Sequence, residues 1–182
     1  MIEVEAKTAI LNPIEFREKA KKIGRFTEKE KKIDDYYTLQ ELNSYPKKSL
    51  RIRKINSFYM INFKRGISYV QGVHAKKENE FKVSDLKGFL DLIKDFGFVK
   101  WLTKEKESEI YRIKDNFHIE INKVKHLGWF LEVEYLVAKD SEIPRARKEI
   151  LNAMRKLGID KKDISREGYT KMLWDKGFAK KD

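Results

Sequence analysis

Three charged residues at the head of the chain, Glu3, Glu5 and Lys7, fall at every second position, with Val4 and Ala6 between them and Ile2 before. On a β-strand this spacing turns both carboxylates and the ammonium to one face and the apolar residues to the other. Two adjacent carboxylates on a rigid element offer hard oxygen donors to a divalent cation. A lysine beside them offers a compact positive charge to a phosphate. Taken singly, the segment is better read as a half-exposed strand with a solvated charged face.

The same alternation recurs along the chain. Arg51 and Arg53 alternate with Leu50 and Ile52, and Glu78 and Glu80 share a face. Lys104 and Lys106 share another. His118, Glu120 and Asn122 alternate with Phe117, Ile119 and Ile121, and Glu132 and Glu134 alternate with Leu131, Val133 and Tyr135. These faces carry carboxylate pairs or cation pairs, not the mixture of Thr, Ser, Lys and Glu expected of a solvated sheet. Rows of like charge make sense if they face rows of opposite charge across a cavity. A closed antiparallel barrel with a polar lumen does this, with helices covering its apolar outside. The cations would then neutralise a polyanion, and the carboxylates would hold metal ions that bridge it.

The elements that must position these residues are legible from their punctuation. Strands are expected at 1–8, 25–38, 48–55, 58–66, 70–82, 98–113, 116–124 and 128–139, with tight turns at Asn56–Phe58, Asp115-Asn116 and His126–Gly128. Asn12-Pro13 predicts a helix start, with Ile14, Phe16, Ala20 and Ile23 as its apolar stripe and Gly24 as its end. A second helix is expected from Ser84 as N-cap to Gly97. A third runs from Ser141–Pro144 to Gly158, followed by a short one at Lys162–Arg166 and another carrying Tyr169, Met172, Leu173 and Trp174. Short connections imply antiparallel pairing, so the fold class is α+β: an eight-stranded antiparallel β-barrel flanked by helices. The last residues, Lys180 to Asp182, read as a frayed tail.

Composition bounds the rest. The 182 residues are read as one domain, 1–182, and 41% hydrophobic content suffices for a core. There are no cysteines, which excludes disulfides and thiolate metal sites and fits a cytoplasmic setting. No apolar run is long enough to span a bilayer, and no secretory signal is visible. A charged fraction of 38%, rich in Lys and Glu, fits a thermophile. The formal net charge of +12 implies an anionic partner. The Lys29–Lys32 stretch and Lys161-Lys162 read as solvated faces. His74, His118 and His126 lack metal-ligand spacing, and Trp101, Trp129 and Trp174 read as packing residues.

Taken in order, these motifs resemble those of the CYTH superfamily, the triphosphate tunnel metalloenzymes. The Glu-x-Glu-x-Lys strand is Glu3, Glu5 and Lys7. It is followed by Asp34-Asp35-Tyr36-Tyr37, by Leu50-Arg51-Ile52-Arg53 and by Lys64-Arg65-Gly66. Then come Glu78 and Glu80, the Leu127-Gly128, Phe130, Glu132 and Glu134 segment, and Tyr169. The resemblance implies an eight-stranded tunnel that binds a triphosphate with Mg²⁺ or Mn²⁺. It implies Glu3, Glu5, Glu132, Glu134 and Asn122 as metal ligands, and Lys7, Arg51, Arg53, Lys64, Lys104 and Lys106 as phosphate contacts. Glu5, Lys7, Glu78 and Glu80 are the implied catalytic groups. Two positions depart from the family: Lys106 where arginine is common, which loses bidentate geometry, and Asn122 where an aspartate is common, which loses a charge.

The expected activity is a metal-dependent triphosphatase acting on inorganic triphosphate, ATP or another nucleoside triphosphate. A class IV adenylyl cyclase, making cyclic AMP and pyrophosphate from ATP, is the alternative. A non-catalytic polyphosphate or nucleic-acid binder fits the charge but gains nothing from carboxylate pairs aimed at a polyanion. A membrane is not an expected partner, and the sequence leaves a homodimer open.

Overall fold

The computed structural model describes residues 1–55 and 58–180, so Asn56 and Ser57 of the expected turn and the end of the tail lie outside the described residues. Eight strands form a closed antiparallel barrel, as the alternation predicts. They are β1 (Ile2–Ile10), β2 (Arg25–Thr38), β3 (Leu50–Ile55), β4 (Phe58–Val70), β5 (Val73–Val83), β6 (Val99–Lys114), β7 (Phe117–Val124) and β8 (Gly128–Val137). Their order around the barrel is β1-β5-β4-β3-β2-β6-β7-β8. Four helices accompany them: α1 (Pro13–Lys21), α2 (Leu86–Asp95), α3 (Ile143–Lys156) and α4 (Tyr169–Asp175).

Local details correct three expectations. The N-cap of α2 is Asp85, not Ser84, and its carboxylate accepts the Gly88 amide at 3.0 Å; a charged cap suits the positive end of a helix. Helix α1 buries Phe16 and Ala20 but leaves Ile14 66% exposed. Two residues of helix rotation carry Ile14 nearly opposite to Phe16. The expected helix at 162–166 is a single 3₁₀ turn, Lys161–Asp163, ended by the extended backbone of Ile164. Strand β8 ends at Val137, where the Glu142 carboxylate accepts the amides of Ala138 and Lys139 at 3.0 and 2.9 Å.

The chain gathers into two compact units. The first comprises Met1–Lys31, Arg65–Glu78 and Lys106–Arg166. In it β1 pairs with β8 in a register that sets Val4 opposite Tyr135, Ala6 opposite Val133 and Lys7 opposite Glu132. Strand β7 pairs with β8 so that Ile119 meets Val133 and Glu120 meets Glu132. The apolar face of these strands takes α3, whose Ile150, Met154 and Leu157 are buried with Val4, Ala6, Ile119, Leu131 and Val133. Each of these side chains larger than alanine contributes about 1.5–3 kcal/mol by leaving water. After α3 the chain returns to β1: Thr8 Oγ1 donates to the Asp163 carbonyl at 2.6 Å, and the Ser165 amide donates to the Lys7 carbonyl at 2.7 Å. The second of these bonds holds the backbone of Lys7 itself.

The second unit comprises Lys32–Lys64, Asn79–Glu105 and Glu167–Asp182. Strand β3 pairs with β2 and β4, setting Asp34 opposite Arg53, Tyr36 opposite Arg51 and Asn62 opposite Arg51 on the other side. Ile52, Ile61 and Ile93 form its aliphatic centre, with Leu86, Phe89 and Leu90 of α2 packed on it. A separate aromatic cluster joins Trp101 to Tyr36, Tyr45 and the α4 residue Trp174, with ring centroids 5.8–6.0 Å apart. Trp101 and Trp174 are therefore packing residues.

The β4–β5 connection is a two-residue turn with Gln71 at φ 55° and Gly72 at φ 83°. A Cβ at Gly72 would lie 2.7 Å from Ile164 Cγ2. Gly72→Ala is expected to destabilise the protein by about 1–3 kcal/mol through this overlap and the left-handed backbone. A thermal midpoint equal to that of the wild type would contradict the close packing of the hairpin on Ile164.

Candidate metal-binding and phosphate-binding linings

In the first unit the charged face of β1 is buried as completely as its apolar face. Glu3, Glu5 and Lys7 are 5%, 5% and 3% exposed, while Val4 and Ala6 are 0% exposed. That excludes the solvated-face reading of the opening strand. Glu120, Asn122 and Glu132 are buried beside them, and Lys106 joins from β6.

The contacts form one network. Lys7 Nζ lies 3.2 Å from Glu5 Oε1 and 3.4 Å from Glu132 Oε1. Lys106 Nζ lies 2.5 Å from Glu120 Oε2 and 3.7 Å from Glu132 Oε2. Asn122 Nδ2 donates to Glu132 Oε2 at 3.0 Å, and Lys76 also bonds Glu5. At the edge of the network His118 Nε2 lies 3.8 Å from Glu120 and 3.9 Å from Glu134. Glu120 and Glu132 sit directly opposite each other in the β7–β8 register, a repulsive placement unless cations intervene. Lys7 and Lys106 are those cations. Asn122 has its own logic here, because its amide donates to Glu132 where an aspartate would repel it.

Two groups show the field inside this lining. Burial favours a neutral Lys7, but the charges of Glu5 and Glu132 override it and hold its pKa above the ordinary lysine value. Burial, joined by the repulsion of Glu5, raises the Glu132 carboxyl above the ordinary range against the pull of Lys7 and Lys106. The lining is rich in carboxylates: Glu3, Glu5, Glu78, Glu120, Glu132 and Glu134 against Lys7, Lys76 and Lys106. Hard oxygen donors in excess fit Mg²⁺ or Mn²⁺ by their chemistry. Among the described residues, however, no three Asp, Glu or His side chains are gathered tightly enough to hold an ion in this arrangement. The lysines occupy the carboxylates instead.

The second unit has the opposite bias. Asp34 is 0% exposed and accepts Arg53 through Nε and Nη2 at 2.6 and 2.8 Å. Lys104 Nζ lies 3.0 Å from the same carboxylate and stands over the Tyr36 and Tyr169 rings at 5.6 and 5.7 Å. Burial would raise the Asp34 carboxyl, yet Lys104, Arg53 and Arg51 together hold it well below the ordinary range. Arg51 Nη2 reaches Glu80 Oε1 at 3.4 Å, and Asn62 donates to that oxygen at 2.8 Å. Arg51 Nε is buried and meets no acceptor among the described residues. Three cations with Lys64 beside them on β4 thus outnumber Asp34 and Glu80.

The site residues expected from sequence divide between the two linings. Glu3, Glu5, Lys7, Glu78, Lys106, Asn122, Glu132 and Glu134 belong to the first unit. Arg51, Arg53, Lys64, Glu80 and Lys104 belong to the second. Glu80, expected to be catalytic, keeps a side chain 41% exposed. Glu120 and Lys76 are in the network although the expected set omits them. Alternation places Glu120 on the polar face with Asn122, and Lys76 on that of Glu78, and this was the available signal. Asp34 stood in a recognised motif, but its part as the anchor of Arg53 and Lys104 depends on strand pairing.

A sequence model of the family described as CYTH domain matches residues 1–169. A Methanocaldococcus jannaschii protein named "Putative adenylate cyclase MJ0240" is 28% identical over 174 residues, 94% of this chain and 98% of that protein. The solved structure of the PH1819 protein from Pyrococcus horikoshii OT3 is similar with a TM-score of 0.79 at 28% identity, covering 96% of this chain and 99% of that one. A Hippeastrum protein, described as a "putative adenylyl cyclase" with a dominant triphosphatase activity, shares the fold with a TM-score of 0.64 at 14% identity, over 97% and 95% of the two chains.

The Asp34 cluster makes a stability prediction. A carboxyl whose folded pKa is depressed contributes stability above its unfolded value and loses it as pH falls through the folded value. Asp34→Asn is expected to cost about 3–5 kcal/mol at pH 7, because Arg53 and Lys104 lose a buried counter-charge. The difference from wild type should narrow as pH falls below about 4, where the wild-type carboxylate begins to lose its advantage. Denaturant unfolding at neutral and acid pH checks this; equal midpoints at pH 7 would contradict it.

Proposed function

The chain belongs to the CYTH domain family, and on that premise we propose that it is a divalent-metal-dependent triphosphatase acting on inorganic triphosphate or a nucleoside triphosphate. The observation that carries this reading is the opposite charge bias of two buried linings. One has carboxylates in excess, and the other has cations in excess with Arg51 Nε lacking an acceptor. A metal–triphosphate complex carries both complements: cations for the first lining and phosphate oxygens for the second.

In this reading Arg51, Arg53, Lys64 and Lys104 hold phosphate oxygens. Arg53 and Lys104 are held in place by Asp34 before any substrate arrives, so little reorganisation is left to binding. Lys7 and Lys106 offer further cations to the phosphate chain as they release their carboxylates. Glu3, Glu5, Glu132 and Glu134, with the Asn122 carbonyl, would hold the ion. Bound Mg²⁺ or Mn²⁺ supplies charge neutralisation at the phosphate oxygens. Water attacks the terminal phosphorus in line, its bond to phosphorus forming as the bridging P–O bond breaks and the remaining phosphates depart. Glu78 or Glu80 accepts the water's proton. Positioning and electrostatics carry most of such a reaction.

The cyclase reading is favoured by the name of the Methanocaldococcus jannaschii relative. In it the same linings would hold ATP while the ribose 3′-oxygen attacks the α-phosphorus and pyrophosphate leaves. Hydrolysis requires only phosphate, metal and water, which are the ligands these two linings suit.

Orthophosphate, pyrophosphate and cyclic AMP should be measured side by side with inorganic triphosphate or ATP and Mg²⁺ or Mn²⁺. The expected result is orthophosphate release that a chelator abolishes and that Glu132→Gln lowers by about 10²-fold or more. Cyclic AMP and pyrophosphate from ATP, with triphosphate left intact, would overturn the triphosphatase reading in favour of the cyclase.

A further inference from the structure

A groove of about 430 Å³ lies in the first unit, bordered by α3, the β4–β5 turn and the 3₁₀ turn at Lys161–Asp163. Its residues are distinct from the lining described above. Arg147, Lys148, Arg155 and Lys161 line it against a single carboxylate, Asp160. Among the described residues none of these five is in an ion pair. Arg155 bonds only the Asn152 amide oxygen at 3.3 Å, and Lys161 only the Gln71 amide oxygen at 3.4 Å. With four cations against one carboxylate, the groove keeps an excess of positive charge.

Arg147 separates this groove from an ordinary lysine-rich surface. Its side chain is half-buried and pinned by a bond from Nη2 to Ser68 Oγ at 3.1 Å. Its Nε is buried and meets no acceptor among the described residues. A guanidinium held in one orientation with donor capacity to spare suits the oxygens of a phosphate. Apart from Gln71 and Asn152, the rest of the groove is apolar. Ile164 and Met154 are 6% and 1% exposed, and Leu151 and Ile159 are half-buried beside them. The packing of Gly72 against Ile164 brings the β4–β5 turn in as one wall. A cation cluster over an apolar floor, in a volume within the usual range for small-molecule sites, matches an anion with an apolar body.

We propose that this groove is a second ligand site, binding a small phosphate ester with a flat apolar body, of the nucleoside monophosphate class. Arg147 and Lys161 hold the phosphate, and Leu151, Ile159 and Ile164 carry the base. No bond is made or broken there. The site stands independently of the triphosphatase reading, because none of its lining residues is among those assigned to metal or triphosphate.

The test is photolabelling of the full chain with 8-azido-AMP, followed by peptide mapping, alongside calorimetric titration with AMP, inorganic phosphate and a short single-stranded RNA. Label is expected on the segment 144–164 and the turn at 71–72. Arg147→Glu and Lys161→Glu should each weaken AMP binding about tenfold or more. Lys161 is exposed, so its variant keeps the test valid if Arg147→Glu folds poorly. Glu132→Gln should leave AMP binding unchanged, whatever it does to triphosphate turnover. Label elsewhere, AMP binding unaltered by Lys161→Glu, or inorganic phosphate binding as tightly as AMP would overturn the proposal. RNA binding through the same residues more tightly than AMP would replace it with a nucleic-acid surface.

Discussion

A charge taken out of water must find an opposite charge, and in this protein that constraint is concentrated at Glu132. Its two oxygens are shared among Lys7, Lys106 and the Asn122 amide. The desolvation of each ion costs several kcal/mol, so the network survives only because every buried carboxylate has a cation within reach. This couples function to fold. The pairing of β1 with β8 places Lys7 opposite Glu132, and a slip by one residue would send these charges into the apolar layer under α3 and bring Val4 and Ala6 inward. The apolar and charged faces of each strand thus specify one register together.

The second unit meets the same constraint with the signs reversed. Asp34 gathers Arg53 and Lys104, and the Tyr36 and Tyr169 rings add a favourable face to Lys104. The carboxylate does not neutralise the lining; it arranges a surplus of cations and leaves Arg51 with a buried donor to fill. Both linings are incomplete in opposite senses. That is the physical content of the proposed function: cations would complete the first lining and anionic oxygens the second.

Much of this was legible in the sequence because a strand has period two. Glu3, Glu5 and Lys7, or Glu132 and Glu134, declare a shared face without any structure, and rows of like charge argued for an interior lumen rather than solvent. The eight strands followed from the same alternation and from turn residues such as Asn116 and Gly128. What stayed hidden depends on which strand lies beside which. Asp34 as the anchor of Arg53 follows from the β2–β3 register, and the place of Lys76 beside Glu5 follows from β5 lying against β1. Glu120 was on a recognised polar face, but only the β6–β7–β8 order brings Lys106 to it. A helix start is ambiguous where two good caps adjoin, as at Ser84 and Asp85, since only geometry decides which side chain reaches the Gly88 amide.

On the proposed function, the carboxylate excess of the first unit receives a divalent cation. Electron paramagnetic resonance of Mn²⁺ titrated into the protein with inorganic triphosphate tests it directly. The signal of free Mn²⁺ should disappear in proportion to wild-type protein. Glu5→Gln, folded as judged by circular dichroism, should leave the ion free at the same concentrations. Equal Mn²⁺ binding by the folded Glu5→Gln variant, or none by the wild type, would contradict it.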